Sequence, residues 1–556
     1  MDALFLVTLV VGTTALLSWP LGQYMAWAMD PAEGRGPTAL FTRISGARGT
    51  QGWRGYVTSL LVFNLLMFAV CFALLALQQV LPLNPDAKGA LSADLVFNTT
   101  ASFTTNTNLQ HYSGEVSMSY LSQLAALMWL QFVSAATGIA ALTALARGIA
   151  GRGNMGHFLI DVQRATVLVL LPLALIVGLY MALMGVPMTL QGAAKALTLE
   201  GASQTIARGP VAAFLAIKQL GTNGGGFFGP NATHPLENPS FWTNLVSMIA
   251  IILIPMACVW MFGRIIGRPR HAAVIFSVMV LFLIAKIAGS VWFESVPTFA
   301  LRDLPVAQTI GNLEGKELRL GATTGPLWAV LTSSTSNGSV GAMHDSLNPL
   351  TGLMPMIRMW LNATFGGVGV GMINMFVYII VAVFVAGMMV GRTPEYLGHR
   401  VEAREVKLAV MVLFFHSLLI LGGTALFAAT SWGQGSTLNP GAHGFSEILY
   451  EFSSASANNG SGFEGLGDNT VAWNIATGLV MLLGRYVPII LPLAIVGSFM
   501  AKRRAAQSAG TLGVEDATFG TMLVITVVIF GALTFLPAAA LGPLADHFSQ
   551  VRRAPF

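Results

Sequence analysis

The stretch QLGTNGGGFFGPNATHPLENP, residues 219–239, lies between two strongly apolar segments of the chain. It contains three consecutive glycines, a Thr-Asn pair and two phenylalanines. Glycine destabilises the interior of a helix, and asparagine favours turns. The stretch therefore predicts non-helical backbone between two apolar helices, and its polarity must be explained by its surroundings.

Those surroundings are predicted to be lipid. The chain has 556 residues, of which 54% are hydrophobic and only 10% are charged. A soluble protein is normally about one quarter charged, so the composition favours an integral membrane protein over a soluble multidomain protein. The two cysteines, Cys71 and Cys258, lie inside apolar runs and are predicted to be buried apolar residues, not a disulfide.

Ten segments are long and apolar enough to cross a bilayer, which takes about 20 residues of helix. The predicted fold is therefore an all-α integral membrane protein with ten transmembrane helices. Short apolar segments near 210–220, 326–335 and 444–455 cannot cross. The ten predicted spans are 4–26, 57–80, 119–146, 163–188, 241–266, 271–294, 372–391, 407–430, 470–498 and 519–541.

The connections after the odd-numbered spans are rich in arginine and lysine, with 17 of the 29 basic residues of the chain. The positive-inside rule places these connections in the cytoplasm. Both termini are then predicted to lie outside it. The basic residues are Arg35, Arg43, Arg48, Arg54, Arg147, Arg152, Arg164, Arg264, Arg268, Arg270, Arg392, Arg400, Arg404, Lys407, Lys502, Arg503 and Arg504.

The opening stretch has three relatives in the chain. The four similar strings are FTTNTNLQ (103–110), LGTNGGGFFG (220–229), TSSTSNGSVG (332–341) and SSASANNGSGFEG (453–465). Aligning Asn106, Asn223, Asn337 and Asn459 gives spacings of 117, 114 and 122 residues. A register displaced by one, which pairs Asn108 with Gly224, Gly338 and Gly460, stays open. Each string follows a short apolar piece and lies between an outward and an inward span, which predicts four repeats of one unit.

Four such segments can meet on one axis. Non-helical backbone at membrane depth is tolerated only where protein buries it or water bathes it. Backbone carbonyls, together with Thr, Ser and Asn oxygens, would then form rings that replace the hydration shell of a monovalent cation. The core strings hold no carboxylate, which disfavours a divalent ion and favours K⁺, with Na⁺ second. Four ordinary outer loops are the alternative. The predicted filter residues are Thr105, Asn106, Thr107 and Asn108 (segment 1); Thr222, Asn223 and Gly224 (segment 2); Ser336, Asn337 and Gly338 (segment 3); and Asn458, Asn459 and Gly460 (segment 4).

A second interruption, NATFGGVGVGM (362–372), follows segment 3. Its glycines, Gly366, Gly367, Gly369 and Gly371, predict either close helix packing or an intramembrane loop that gates the pore below the filter. Arg485 lies within the ninth span and is expected to face a cavity or a partner. It either repels cations from the lower pore or donates hydrogen bonds to carbonyls of the broken helix.

Two lysines also lie in apolar surroundings. Lys286 is expected to pair with an acid across a helix interface, with Glu294 and Glu451 as candidates. Lys218 precedes segment 2, and it either supports the filter or extends toward solvent.

Several motifs resemble those of one family. They are AIKQLGTNGGGFFG, GAMHDS, FGGVGVG, GRTPEYLG, LNPGAHGFSEILYEFSSASANNGSGFEGL and GRYVPIILPLAIVGS. Together they resemble the channel-like A subunits of bacterial Kdp potassium-transporting ATPases, over essentially the whole chain. The resemblance implies an architecture similar to the Trk, Ktr and plant HKT transporters. Its expected parts are an extra helix at 1–30, pore repeats at 57–147, 163–267, 271–392 (with the broken inward helix) and 407–499, and an extra helix at 519–541.

The resemblance also implies partners and a location. The expected partners are a P-type ATPase subunit (Kdp B), a Kdp C subunit and a small single-helix Kdp F subunit in the bacterial inner membrane. The chain itself has neither a DKTGT phosphorylation motif nor a Walker A sequence. We therefore expect that this chain has no ATP site and is not an enzyme by itself. We also expect no nucleic-acid partner.

Three functions compete. The first is a K⁺-selective subunit of an ATP-driven importer, which takes K⁺ from outside and passes it to the ATPase subunit. The second is a stand-alone Trk-like K⁺ channel or symporter. The third, a secondary transporter for an organic solute, predicts inverted repeats, whereas the four strings suggest repeats of the same direction.

Overall fold

The computed structural model describes residues 3–30, 38–47, 49–298, 301, 304–391, 393–504 and 513–552. Within these ranges, ten helices are long and apolar enough to cross a membrane. The predicted all-α membrane fold with ten spans is therefore confirmed. Residues 1–2 of the first predicted segment, and Arg35, Arg48 and Arg392 of the basic connections, lie outside the described residues. Spans 1 to 10 are Ala3–Met29, Trp53–Ala76, Ser122–Ala150, Phe158–Leu183, Phe241–Ile265, Pro269–Glu294, Val370–Val390, Ala403–Ala428, Val471–Ala501 and Ala517–Gln550.

Burial divides the spans into two groups. Spans 3, 5, 7 and 9 are 72%, 78%, 61% and 56% buried over their most apolar window. Spans 1, 2, 4, 8 and 10 are only 22–33% buried, and span 6 is 44% buried. A helix that is apolar on every side can be stable in lipid as well as in a protein core. The buried group therefore forms the centre of the molecule, and the other spans surround it.

Four short helices precede the four segments. They are Ala93–Thr104, Val211–Leu220, Gly321–Ser334 and Gly441–Ala457, with 12, 10, 14 and 17 residues. At 1.5 Å per residue they are roughly 15–26 Å long, which is less than the hydrocarbon thickness of about 30 Å. Each enters the protein without crossing it, and the chain continues through its segment into one of the buried spans.

The third of these units has an additional break. Helix Pro349–Leu361 leads from segment 3 to a non-helical loop at 362–369, and span 7 follows at Val370–Val390. The remaining helices are short; the last of them overlaps the end of span 10, and the others lie in the connections. They are Thr38–Ser45, Gly114–Ser117, Asn231–Thr233, Ser431–Gln434 and Ala545–Arg552.

The regular structure also includes π-helical turns and two hairpins. Ala194–Leu197 pairs antiparallel with Ser203–Ile206, with Ala194 opposite Ile206. Glu395–Tyr396 pairs antiparallel with His399–Arg400. The π-helical turns are Thr8–Gly12, Ser122–Met128, Ala165–Leu170 and Ala540–Leu544.

The two end spans pack against the outside of the central group. Span 1 contacts span 5, where Gly22 lies so close to Trp260 that a Cβ would reach within 2.5 Å of the tryptophan Cβ. Span 10 contacts spans 6 and 7, and Phe530 packs edge-on against Tyr378 of span 7. Cys71 and Cys258 are both buried and free, as predicted.

A histidine ties the C-terminal end to the short helix before segment 4. His443 contacts Asp546 through Nδ1 at 2.8 Å and Asp345 through Nε2 at 2.9 Å. Burial by itself lowers the pKa of His443, but hydrogen bonds to the two carboxylates and their charge outweigh it and raise that pKa to about 10. His443 is therefore charged at neutral pH and bridges two anions.

This bridge is expected to break at alkaline pH. Because the folded pKa is above the unfolded value of about 6.5, the stabilisation is complete below pH 6.5 and is lost as the pH rises through about 10. A fluorophore attached through Ser549→Cys should report release of Ala545–Arg552 with a midpoint near pH 10. His443→Gln is the control and should lack this transition. The same transition in that variant would contradict the assignment.

Candidate ion-binding site

The four segments adopt the same backbone turn. Within each segment, two residues with one residue between them have φ in the left-handed region. Residues other than glycine and asparagine rarely adopt this conformation. The first such residue has φ of 49–63° and the second has φ of 56–98°. The pairs are Asn106 and Asn108, Thr222 and Gly224, Ser336 and Gly338, and Asn458 and Gly460.

One hydrogen bond recurs at the residue between each pair. Its backbone N–H donates to the carbonyl oxygen five residues earlier, at 2.9–3.0 Å. The torsions and this bond together select the displaced register, in which Asn108 corresponds to Gly224, Gly338 and Gly460. Thr105 then lies one position before the turn, at the end of its helix. The bonds are Thr107 to Ser102, Asn223 to Lys218, Asn337 to Thr332, and Asn459 to Ser454.

The segments contact one another in a closed order. A Cβ added to Gly224 would overlap the carbonyl oxygen of Asn337, one on Gly338 would overlap that of Asn459, and one on Gly460 would overlap that of Thr107. Segments 1 and 2 are joined because the Asn106 amide donates to the Thr222 carbonyl at 2.8 Å. The structure thus brings all four predicted segments together, and it leaves no space for a side chain at the three glycines.

The asparagine side chains hold neighbouring segments together. The Asn337 amide donates to the carbonyl of Lys218 at 3.3 Å, and the Asn459 amide donates to that of Thr332 at 3.1 Å. The Asn458 amide reaches Thr107 Oγ1 at 2.9 Å. These amides therefore brace the ring, and the backbone carbonyls are left as the oxygens available to an ion.

Four equivalent carbonyls have no partner. Within the part of the chain that the structure describes, no N–H or O–H group donates to the backbone oxygens of the four middle residues. All four residues are completely buried. Buried carbonyls without a hydrogen bond are uncommon in folded proteins and usually have a ligand or water. The four are those of Thr107, Asn223, Asn337 and Asn459.

A polar cavity of about 330 Å³ borders segments 3 and 4. Its wall includes Gly338, Gly460, His111, Glu464 and Asp468. Burial raises the pKa of Glu464 to about 8 and, although His111 opposes it, that of Asp468 to about 7. The cavity therefore borders the ring and has carboxyl groups in its wall.

The 362–369 loop lies below the ring. The Val368 N–H donates to Thr222 Oγ1 at 3.0 Å, and the Gly366 N–H donates to the Ser334 carbonyl at 2.8 Å. A Cβ on Gly367 would be 3.7 Å from Ser336 Cβ and 3.9 Å from Arg485 Nη1. The loop therefore packs against the helix ends at which segments 2 and 3 begin.

Two glycines of this loop are required by the backbone itself. Gly366 and Gly369 have φ of 60° and 79°. A Cβ on Gly369 would also overlap the carbonyl of Gly138 in span 3. Gly371, at the start of span 7, lies directly against the Phe365 carbonyl. These contacts explain why the helix breaks here, and they place the loop between span 3 and the ring.

Arg485 is buried beside this loop. Its Nη2 donates to the Ser134 carbonyl of span 3 at 2.8 Å, so the arginine bonds to span 3 and not to the carbonyls of the loop. No carboxylate lies within ion-pair distance of it among the described residues. A buried cation thus lies between span 3 and the 362–369 loop.

Arg358 was not singled out by its sequence context, although an arginine in the apolar string MPMIRMW is a recognisable signal. It is completely buried. Its Nε donates to Ser334 Oγ at 2.9 Å and its Nη2 to the Ser334 carbonyl at 2.7 Å. Nη2 also donates to the Thr364 carbonyl. Arg358 therefore fastens the loop to the end of the short helix before segment 3.

A buried ion pair and its hydrogen bonds support segment 2. Lys218 is completely buried, pairs with Glu237 at 2.5 Å and donates to Asn231. The Asn231 amide in turn donates to the Gly224 carbonyl at 3.0 Å. Glu237 also accepts the backbone N–H of Phe227 at 2.7 Å. Lys218 therefore supports the segment and does not extend toward solvent.

Replacing Lys218 by methionine is expected to destabilise this support. The change leaves Glu237 buried without its cation, and breaking such a pair lowers the free energy of unfolding by roughly 3–5 kcal/mol. Thermal unfolding of the detergent-solubilised protein measures the effect. Lys218→Met combined with Glu237→Gln removes both charges and should recover part of the loss. A double variant as unstable as the single one would contradict this role.

The chain is similar over nearly its whole length to proteins of one family. The family described as potassium-transporting ATPase A subunit matches residues 7–548. A protein of Rhodospirillum centenum is 47% identical, covering 99% of this chain and 98% of its own. Proteins of Pseudomonas entomophila (49%, 91% of each chain) and Flavobacterium johnsoniae (44%, 96% of this chain and 97% of its own) are also similar. All three are named potassium-transporting ATPase potassium-binding subunit. The chain therefore belongs to the family of potassium-transporting ATPase A subunits.

Proposed function

We propose that this chain is the potassium-binding subunit of an ATP-driven K⁺ importer, and that K⁺ binds at the ring of segments 1 to 4. The observation that carries this proposal is the set of four equivalent, buried and unpaired carbonyl oxygens. Carbonyl rings replace the hydration shell of K⁺. The ring has no carboxylate of its own, which suits a monovalent ion better than a divalent one.

The direction of transport follows from the proposed orientation, with both termini outside the cytoplasm of a bacterial cell and the chain in its inner membrane. K⁺ enters the polar outer cavity and loses water at the ring. It then stops at the 362–369 loop, where Arg485 disfavours a cation directly below. The obstruction supports sideways transfer of the ion to a partner, because a straight path would lead through the loop and past a buried cation.

The energy source lies on another subunit. The relatives are named as parts of a potassium-transporting ATPase, and this chain has no phosphorylation motif of its own. We propose a P-type ATPase subunit (Kdp B), a Kdp C subunit and a single-helix Kdp F subunit as partners. The alternative, a stand-alone Trk-like channel or symporter, is disfavoured by the relatives' names.

A structure of the purified complex in Rb⁺, which substitutes for K⁺ and scatters X-rays anomalously, tests the site. Anomalous density is expected among the carbonyls of Thr107, Asn223, Asn337 and Asn459. Density elsewhere, with none in the ring under conditions that support transport, would overturn the proposal. Liposomes that contain this chain alone should show no ATP-driven K⁺ uptake, whereas the complex with ATP should. Uphill uptake by the chain alone would favour the Trk-like alternative.

A further inference from the structure

Lys286 lies in span 6, and no acidic side chain among the described residues forms an ion pair with it. It is only 7% exposed, and its Nζ has no hydrogen-bond partner among the described residues. The two acids that its sequence context suggested are engaged elsewhere, since Glu294 pairs with Lys316 and Glu451 contacts His111 at 3.3 Å. The expected pairing with either acid is therefore wrong. The ammonium instead lies 5.2 Å from the centre of the Phe282 ring.

The charges around Lys286 do not compensate for its burial. Arg358, the charged group that acts on it electrostatically, is also a cation and repels it. A charge at membrane depth is unfavourable unless it is paired or lies in a water-filled cavity, and intramembrane charges commonly mark a functional contact. Since no described residue supplies a counter-ion, an anion from elsewhere would stabilise the charged lysine.

A cavity next to Lys286 has space for the group that carries such an anion. It measures about 330 Å³ and lies between span 6, span 10 and helix Pro349–Leu361. Apart from Lys286, its wall consists of apolar side chains and glycine. Val528 and Leu536 of span 10 line the cavity and are 49% and 59% exposed. The cavity therefore opens on the lateral surface of the protein that faces the lipid.

The position of the ammonium in this groove distinguishes two kinds of occupant. Lys286 is eight residues from the end of its helix at Glu294, or about 12 Å below it. Phe282 and Val528 line the groove on the inner side, and Ala539 and Leu544 line it toward the outer end of span 10. An acidic lipid carries its charge in the headgroup, so its hydrocarbon chains extend from the charge in one direction only, toward the membrane centre. A membrane-spanning helix with one acid between apolar residues matches a groove that is apolar on both sides of the cation.

We propose that this groove docks a membrane-spanning helix of a partner subunit, and that an aspartate or glutamate of that helix pairs with Lys286. Ala532, which lines the groove, allows the close approach that small residues provide between helices in lipid. The inference goes beyond the proposed function and rests on it only because the partner is sought in the ATPase complex.

Photo-crosslinking in the complete complex tests the proposal. Benzoylphenylalanine replaces Leu536 in the groove or, as a control, the 50% exposed Leu418 of span 8. The Leu536 position is expected to crosslink to a membrane-spanning peptide that contains Asp or Glu, and the control position is not. Lys286→Met should reduce the crosslink at least fivefold, whereas Lys286→Arg should retain it. The charge swap, Lys286→Glu with the partner's acid changed to lysine, should restore it.

Three outcomes would overturn the docking proposal. They are a crosslink only to phospholipid, a crosslinked helix without an acid, and a yield that Lys286→Met does not change. Thermal unfolding of each variant monitors its folding. A filter variant such as Gly338→Ala should reduce K⁺ binding at least tenfold and leave the crosslink intact, so failure of the K⁺ site is distinguishable from failure of the docking site.

Discussion

Replacing Gly338 by alanine is expected to reduce K⁺ binding at least tenfold. Gly338 has φ of 90°, and a left-handed conformation costs an L-residue roughly 1–2 kcal/mol, so alanine favours relaxation of the turn away from the geometry that binds the ion. The added Cβ would also overlap the Asn459 carbonyl oxygen. That oxygen belongs to the proposed set of K⁺ ligands, so the substitution displaces a ligand as well as straining the backbone.

Equilibrium binding of radioactive Rb⁺ to the purified complex measures this effect, together with K⁺-stimulated ATP hydrolysis. Gly422→Ala is a matched control, because its added Cβ would meet only Leu418 Cδ1 at 3.8 Å, an ordinary contact. The control should bind like the unmodified chain. If Gly338→Ala binds equally well, the carbonyls of segments 3 and 4 do not form the ion site.

Replacing Arg485 by alanine is expected to uncouple K⁺ movement from ATP. The guanidinium is buried, is anchored to the Ser134 carbonyl and lies near the 362–369 loop below the ring. Its removal eliminates a positive charge from a water-poor region where electrostatic interactions are strong. We expect K⁺ leakage through proteoliposomes without ATP to increase at least tenfold, with less K⁺ transported per ATP.

The leak is measured as valinomycin-independent Rb⁺ flux, with and without ATP. Arg404→Ala is the control, since Arg404 is exposed at the start of span 8. It removes the same charge without changing the path below the ring. Unchanged coupling and no added leak in Arg485→Ala would show that the arginine is structural, and the loop would then have to block K⁺ without it.

The membrane fold could be predicted from the chain without its structure. A long apolar run leaves few alternatives, because every backbone polar group in lipid must be bonded within the segment. The ten spans were recognisable for this reason. The strings around Asn106, Asn223, Asn337 and Asn459 also marked the places where the helices stop, because Gly and Asn are poor in helices and suited to positive φ.

The register of segment 1 required the tertiary structure. Its string TNTN contains two asparagines, and composition does not show which of them matches a glycine of the other segments. The left-handed φ of Asn108 and the bond from Thr107 to Ser102 decide it. Asparagine tolerates this conformation. Asn108 can therefore stand at the position that glycine occupies in the other three segments.

The partners of buried charges were also beyond local reasoning. Lys218 with Glu237, Arg358 with Ser334 and Thr364, and Arg485 with Ser134 each join distant parts of the chain or different elements. The sequence by itself determined which segments cross the membrane and where their helices are interrupted, because both depend on local hydrophobicity and backbone preference. Only the tertiary structure decided which buried carbonyls lack a hydrogen-bond donor and which charge lacks a partner among the described residues, because those depend on distances between residues far apart in sequence.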